Sequence, residues 1–75
     1  MWLRIYNACT PVYYKNLSSV KELQVVKWGD KYALKADNKR LGLYNSREKA
    51  DAMLKKVLED EKSGKHILDV SELLE

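Results

Sequence analysis

Two β-prone runs, 23–28 and 31–36, are separated by nothing but Gly29-Asp30. A glycine followed by a small polar residue between such runs suits a two-residue hairpin turn. So short a turn fixes the register: Trp28 faces Lys31, Val26 faces Ala33 and Val25 faces Leu34. Side chains alternate across a strand. Leu23, Val25, Tyr32, Leu34 and Ala36 therefore share one face, and Gln24, Val26, Trp28, Lys31, Ala33 and Lys35 share the other. A second turn, 37–40, leads to a short strand, 41–44. Leu41 and Leu43 are expected on its apolar face and Tyr44 on the opposite one. Alternation of Met1, Leu3 and Ile5 with Trp2, Arg4 and Tyr6 predicts a further strand over about 1–7. Pro11 places Val12-Tyr13-Tyr14 at a sheet edge or in a loop.

A helix follows. Asn45 or Ser46 offers a side-chain oxygen to free N–H groups, and Glu48, three after Asn45, makes a capping-box-like pattern. Ala50, Met53, Leu54, Val57 and Leu58 recur at helical spacing, with Glu61 where the stripe fades. Gly64 is the expected left-handed stop, which bounds the helix at about 46–63. Residues 66–75 read as an extended segment or a short turn, with Ser71 a cap for a last turn through Leu73-Leu74. The expectation is one α+β domain over 1–75. A small, mostly antiparallel sheet of three to four strands (about 1–7, 20–28, 31–36 and 41–44) carries the amphipathic helix on one face.

Composition narrows the function. Of 75 residues, 45% are hydrophobic and 33% charged, and Gly and Pro are few, which argues against disorder. No apolar run approaches the ~20 residues needed to span a bilayer. The first residues lack the basic cluster and apolar run of a signal peptide. With one cysteine, Cys9, no internal disulfide framework is available. The chain reads as cytosolic, with no membrane partner. Its formal charge of +3 is uneven. Residues 1–49 hold ten Lys and Arg against four Asp and Glu, whereas 50–75 hold four against seven. Such asymmetry steers anionic partners towards the first part.

Catalytic groupings are missing, so the chain is read as a non-enzyme. His66, the one histidine, follows the helix stop and is expected to be exposed. Cys9 would need His66, far off in sequence, to act as a nucleophile, and an inert thiol is the simpler reading. At helical spacing Glu59, Asp60 and Glu61 diverge, so they make no cation site. Neither a metal nor a cofactor is expected. The aromatic content says more: two Trp and five Tyr without a Phe, rings that suit a boundary between apolar packing and water. The face turned away from the helix would hold Trp28, Lys31, Lys35 and Tyr44. Trp2, Arg4 and Tyr6 join it if the first strand lies alongside. Rings interleaved with cations make a binding platform. The alternatives are a dimer interface, or cover by Val12-Tyr13-Tyr14 and the tail.

The run Gly29-Asp30-Lys31-Tyr32-Ala33-Leu34, followed by Leu41-Gly42-Leu43-Tyr44-Asn45-Ser46-Arg47-Glu48-Lys49-Ala50, resembles a pattern in short accessory proteins of phages and prophages of Gram-positive bacteria. There a hairpin is followed by Leu-Gly-x-Tyr-x-Ser/Thr-x-Glu-x-Ala at the start of a helix. The likeness covers about 23–60. It implies a phage accessory protein that binds and blocks a host factor in the host cytoplasm, counter-defence included. It implies no catalytic or ligand-binding residues. The first functional reading is thus a non-enzymatic inhibitor or modulator of a host protein. A second is an oligomer sequestering a nucleotide or other small anion between protomers. A third, nucleic-acid binding, is opposed by the low net charge and the acidic second part.

Overall fold

A computed structural model describes residues 1–7 and 10–71. The readings made for Cys9 and for 72–75 lie outside the described residues. In chain order the elements are β1 (Trp2–Asn7), β2 (Thr10–Asn16), a 3-10 turn (Leu17–Ser19), β3 (Leu23–Trp28), β4 (Lys31–Ala36), β5 (Lys39–Tyr44), α1 (Arg47–Lys62) and β6 (Ile67–Ser71). The α+β architecture is the one read from the sequence, with its strands divided between two sheets. One sheet has the order β3-β4-β5 and is antiparallel throughout; the other is β2-β1-β6, in which β1 pairs antiparallel with β2 and parallel with β6. The 16-residue α1 is not long and apolar enough to cross a membrane.

The hairpin has the register its two-residue turn dictates: Trp28 opposite Lys31, Val26 opposite Ala33, Val25 opposite Leu34. Gly29 takes φ +66° there, a conformation that costs glycine little. At the second turn the left-handed residue is Asp37, at φ 55°. Its Oδ1 accepts from the backbone N–H groups of Lys21 (3.1 Å) and Glu22 (3.0 Å), which secures the approach to β3.

The pairing of β4 with β5 departs from simple alternation. Leu34 lies opposite Gly42 and Lys35 opposite Arg40, so Leu41 is an extra residue, a β-bulge. Its carbonyl accepts from the Asn7 side chain at 3.3 Å, linking the two sheets. The bulge shifts the parity of everything after it. Leu41 is fully buried as expected, but Leu43 pairs with Ala33 on the outer face, and Tyr44 turns inward, opposite Tyr32, with no exposed surface. The expectation of an outward Tyr44 and an inward Leu43 is corrected on this ground. Inside, the Tyr44 hydroxyl donates to the Ser71 carbonyl at 2.9 Å, which ties β5 to the end of β6.

Ser46 caps α1, its hydroxyl accepting from the Lys49 N–H at 3.2 Å. The third helical position is therefore Lys49, and the Asn45–Glu48 capping box does not form. At the other end Gly64 has φ +83°. The Gly64 N–H donates to the Glu61 carbonyl and the Lys65 N–H to the Asp60 carbonyl, the paired bonds of a Schellman stop. Ala50 and Val57 are fully buried and Met53 and Leu54 partly so. Leu58 was expected in this stripe but is 50% exposed. It lies at the rim of a cleft of about 430 Å³ between α1 and the segment around Leu17, Val20 and Leu23.

Both sheets and the helix share one core, built on Leu3, Ile5, Leu34, Leu41, Tyr44, Val57 and Val70. Each large side chain fully buried there contributes roughly 1.5–3 kcal/mol before entropy is subtracted. Alternation in Ile67–Ser71 buries Leu68 and Val70 and exposes Ile67, Asp69 and Ser71.

Candidate interaction surfaces

The expected platform residues fall into three places. Trp28, Lys31 and Lys35 stand on the outer face of the β3-β4-β5 sheet, away from the core. Trp2, Arg4 and Tyr6 stand on the outer face of the other sheet, because β1 pairs with β2 and β6 and not with the hairpin. Tyr44 belongs to neither face, being buried.

On the hairpin face Trp28 is 46% exposed. The Arg40 guanidinium, opposite Lys35 in the register, sits 5.7 Å from the centre of the Trp28 ring, within cation–π range. Lys31 donates from Nζ to Asn45 Oδ1 at 3.1 Å. Gln24, Val26, Ala33 and Leu43 complete the face. It carries three cations, and the strands β3, β4 and β5 contain no Asp or Glu. Arg40 and Leu43 were not anticipated here. The sequence pattern puts Arg40 in a turn and Leu43 in the core; β5 begins already at Lys39, which brings Arg40 onto this face, and the bulge at Leu41 turns Leu43 outward.

The face of β2-β1-β6 has another character. The Arg4 guanidinium grips Asp69 with two parallel bonds, Nε to Oδ1 at 2.6 Å and Nη2 to Oδ2 at 3.0 Å. That pairing raises the Arg4 pKa further and holds the Asp69 carboxyl below its ordinary range. Across the strand register Arg4 has Tyr14 on one side and Asp69 on the other. Trp2 and Tyr6 flank Arg4 along β1, and the guanidinium lies 5.7 Å from the Tyr6 ring centre. Val12, Tyr14 and Ile67 are exposed beside them. The alternation of Tyr13 with Tyr14 and of Leu68 with Asp69 could have revealed these side chains once 10–16 and 67–71 were read as strands.

Behind β2, Tyr13 points inward. Its hydroxyl is buried with no hydrogen-bond partner among the described residues. Burial pushes its pKa up, with Arg40 opposing, and the Lys39 ammonium rests 4.2 Å from its ring centre. His66 is exposed, and its backbone carbonyl accepts from the Trp2 N–H at 2.8 Å. Asp60 takes a 3.4 Å contact from Lys65. Among the described residues no group of three His, Cys, Asp or Glu converges as a metal site would require. Comparison of the chain with protein-family models, with curated proteins and with solved structures gives no match.

Proposed function

We propose that the chain is a small non-enzymatic binding protein that grips an acidic patch on another protein through the hairpin face. The observation that carries this reading is Trp28, half exposed on a sheet face with Lys31, Lys35 and Arg40, in strands that contain no Asp or Glu. Trp and Arg are the residue types that dominate protein interfaces when centrally placed. Cations gathered on one face speed and orient the encounter with an acidic surface. A polynucleotide demands many phosphate contacts along its length, whereas an acidic protein patch is satisfied by a few cations around one ring. The likeness of 23–60 to phage and prophage accessory proteins supports a bacterial host protein as the target and inhibition or counter-defence as the role. The residues behind that likeness have structural work in this chain: Leu41 makes the bulge, Tyr44 ties two strands, Ser46 caps and Ala50 lets α1 approach the sheet.

The test is affinity capture from a lysate of Gram-positive cells with the wild-type chain, Trp28→Ala, Lys35→Glu and Trp2→Ala, with retained proteins identified by mass spectrometry. The expected result is an acidic protein held by the wild type and by Trp2→Ala and lost from the two hairpin-face variants. Equal recovery on all four chains, or retention dependent on Trp2 alone, would refute this reading.

A further inference from the structure

We infer that the outer face of the β2-β1-β6 sheet is a homodimer interface, on which a second copy of this chain sits about a twofold axis. Five of the seven large hydrophobic side chains exposed among the described residues lie on this one face: Trp2 (49%), Tyr6, Val12, Tyr14 (55%) and Ile67. Rings of this kind present 150–250 Å² each, so three of them about half exposed offer on the order of 300 Å². With Val12, Ile67 and the Arg4–Asp69 pair the patch reaches the size range, ~300–600 Å², of the functional patches on monomers. Two copies pressed together would bury on the order of 1,000 Å², the lower bound of a specific interface.

The charge on the face identifies the occupant. A twofold interface sets each surface patch against itself, so any net charge on the patch meets the same charge on the partner. Among the described outward-facing residues of these strands the charges cancel, because Arg4 is bound bidentately to Asp69 within the protomer. The pair sits at the middle of the face, between the Trp2 and Tyr6 positions of the central strand. Two copies can close over it with each charge already matched. The hairpin face would instead place three cations against three cations and repel its own copy. A chain of 75 residues also gains disproportionately from association, since a domain of about 60 residues buries only ~60% of its unfolded surface on folding.

Sedimentation equilibrium of the full chain tests this. An interface of this size with a dissociation constant on the order of 1 µM gives, at roughly 100 µM chain, a mass twice the 8.7 kDa of one chain. Trp2→Glu and Tyr14→Glu are expected to weaken association at least about thirty-fold, as loss of an interface hot spot does. Trp28→Ala, on the other face, should leave it unchanged. Both Glu variants alter exposed side chains, and Tyr14 lies on an edge strand, so at least one retains the fold, checked by circular dichroism. A chain still monomeric at roughly 100 µM, a hundredfold above that dissociation constant, would overturn the proposal and leave the face to a different partner. A dimer indifferent to both Glu variants would overturn it as well.

Discussion

Two tyrosines invite the same substitution with opposite results. Tyr44 and Tyr13 both aim their hydroxyls inward, but the Tyr44 hydroxyl donates to the Ser71 carbonyl at 2.9 Å, while that of Tyr13 is buried without a partner among the described residues. Removing one partner of a made hydrogen bond costs about 0.5–1.5 kcal/mol, and removing a buried group that never found one is neutral or stabilising. Tyr44→Phe should therefore lower stability by about 1 kcal/mol, a fall in Tm of about 4–8 °C for a domain of this length. Tyr13→Phe should leave Tm unchanged or raise it. Thermal unfolding followed by circular dichroism and calorimetry reads both, with agreement of the two enthalpies confirming two-state behaviour. The alkaline limb offers a second check. Because burial raises the folded-state pKa of Tyr13, its phenol ionises earlier when unfolded, and stability is lost as pH climbs above about 10. Tyr13→Phe should flatten that loss. If Tyr13→Phe destabilises as much as Tyr44→Phe, the reasoning about satisfied and unsatisfied hydroxyls fails.

Asp37→Ala removes the acceptor for the Lys21 and Glu22 N–H groups and leaves alanine at φ 55°; a loss of about 1–3 kcal/mol is expected in urea unfolding, and a smaller loss for Asp37→Asn, which keeps an Oδ1 acceptor. Ser46→Ala should cost about 1 kcal/mol through the lost cap, while Asn45→Ala leaves the cap intact, a contrast that thermal melts resolve. On the acid side the depressed Asp69 pKa means that the Arg4 pair stabilises above the unfolded carboxyl pKa, near 4, and its contribution disappears as pH falls through the lower folded value. The stability difference between wild type and Asp69→Asn should accordingly be present at pH 7 and vanish at low pH, with a small amplitude because both partners are solvent-exposed.

What the sequence made legible was whatever a local rule dictates. Gly29-Asp30 set one hairpin register, the spacing from Ala50 to Val57 set the helix face, and Gly64 set its end. The Leu41 bulge escaped because it depends on a non-local event: the Asn7 side chain, far away in sequence, satisfies the carbonyl that the extra residue leaves out of the ladder. One inserted residue then exchanged Leu43 and Tyr44 between faces. The division into two sheets escaped for a related reason. Strand alternation says which side chains share a face but not which strand is the neighbour, and β1 found its partners at 10–16 and 67–71, on either side of the hairpin in the chain. The expected single platform of Trp28 with Trp2, Arg4 and Tyr6 is consequently two surfaces of different charge.

Those two surfaces each carry one tryptophan, and ¹⁵N NMR of the two indole N–H signals tests most directly whether they do separate jobs. The account predicts that diluting the chain shifts the Trp2 signal and leaves Trp28 in place. Adding the acidic protein recovered by capture should shift Trp28 and leave Trp2 in place. Signals that move together in both titrations, or a Trp2 signal that answers the captured protein while Trp28 stays still, would contradict it.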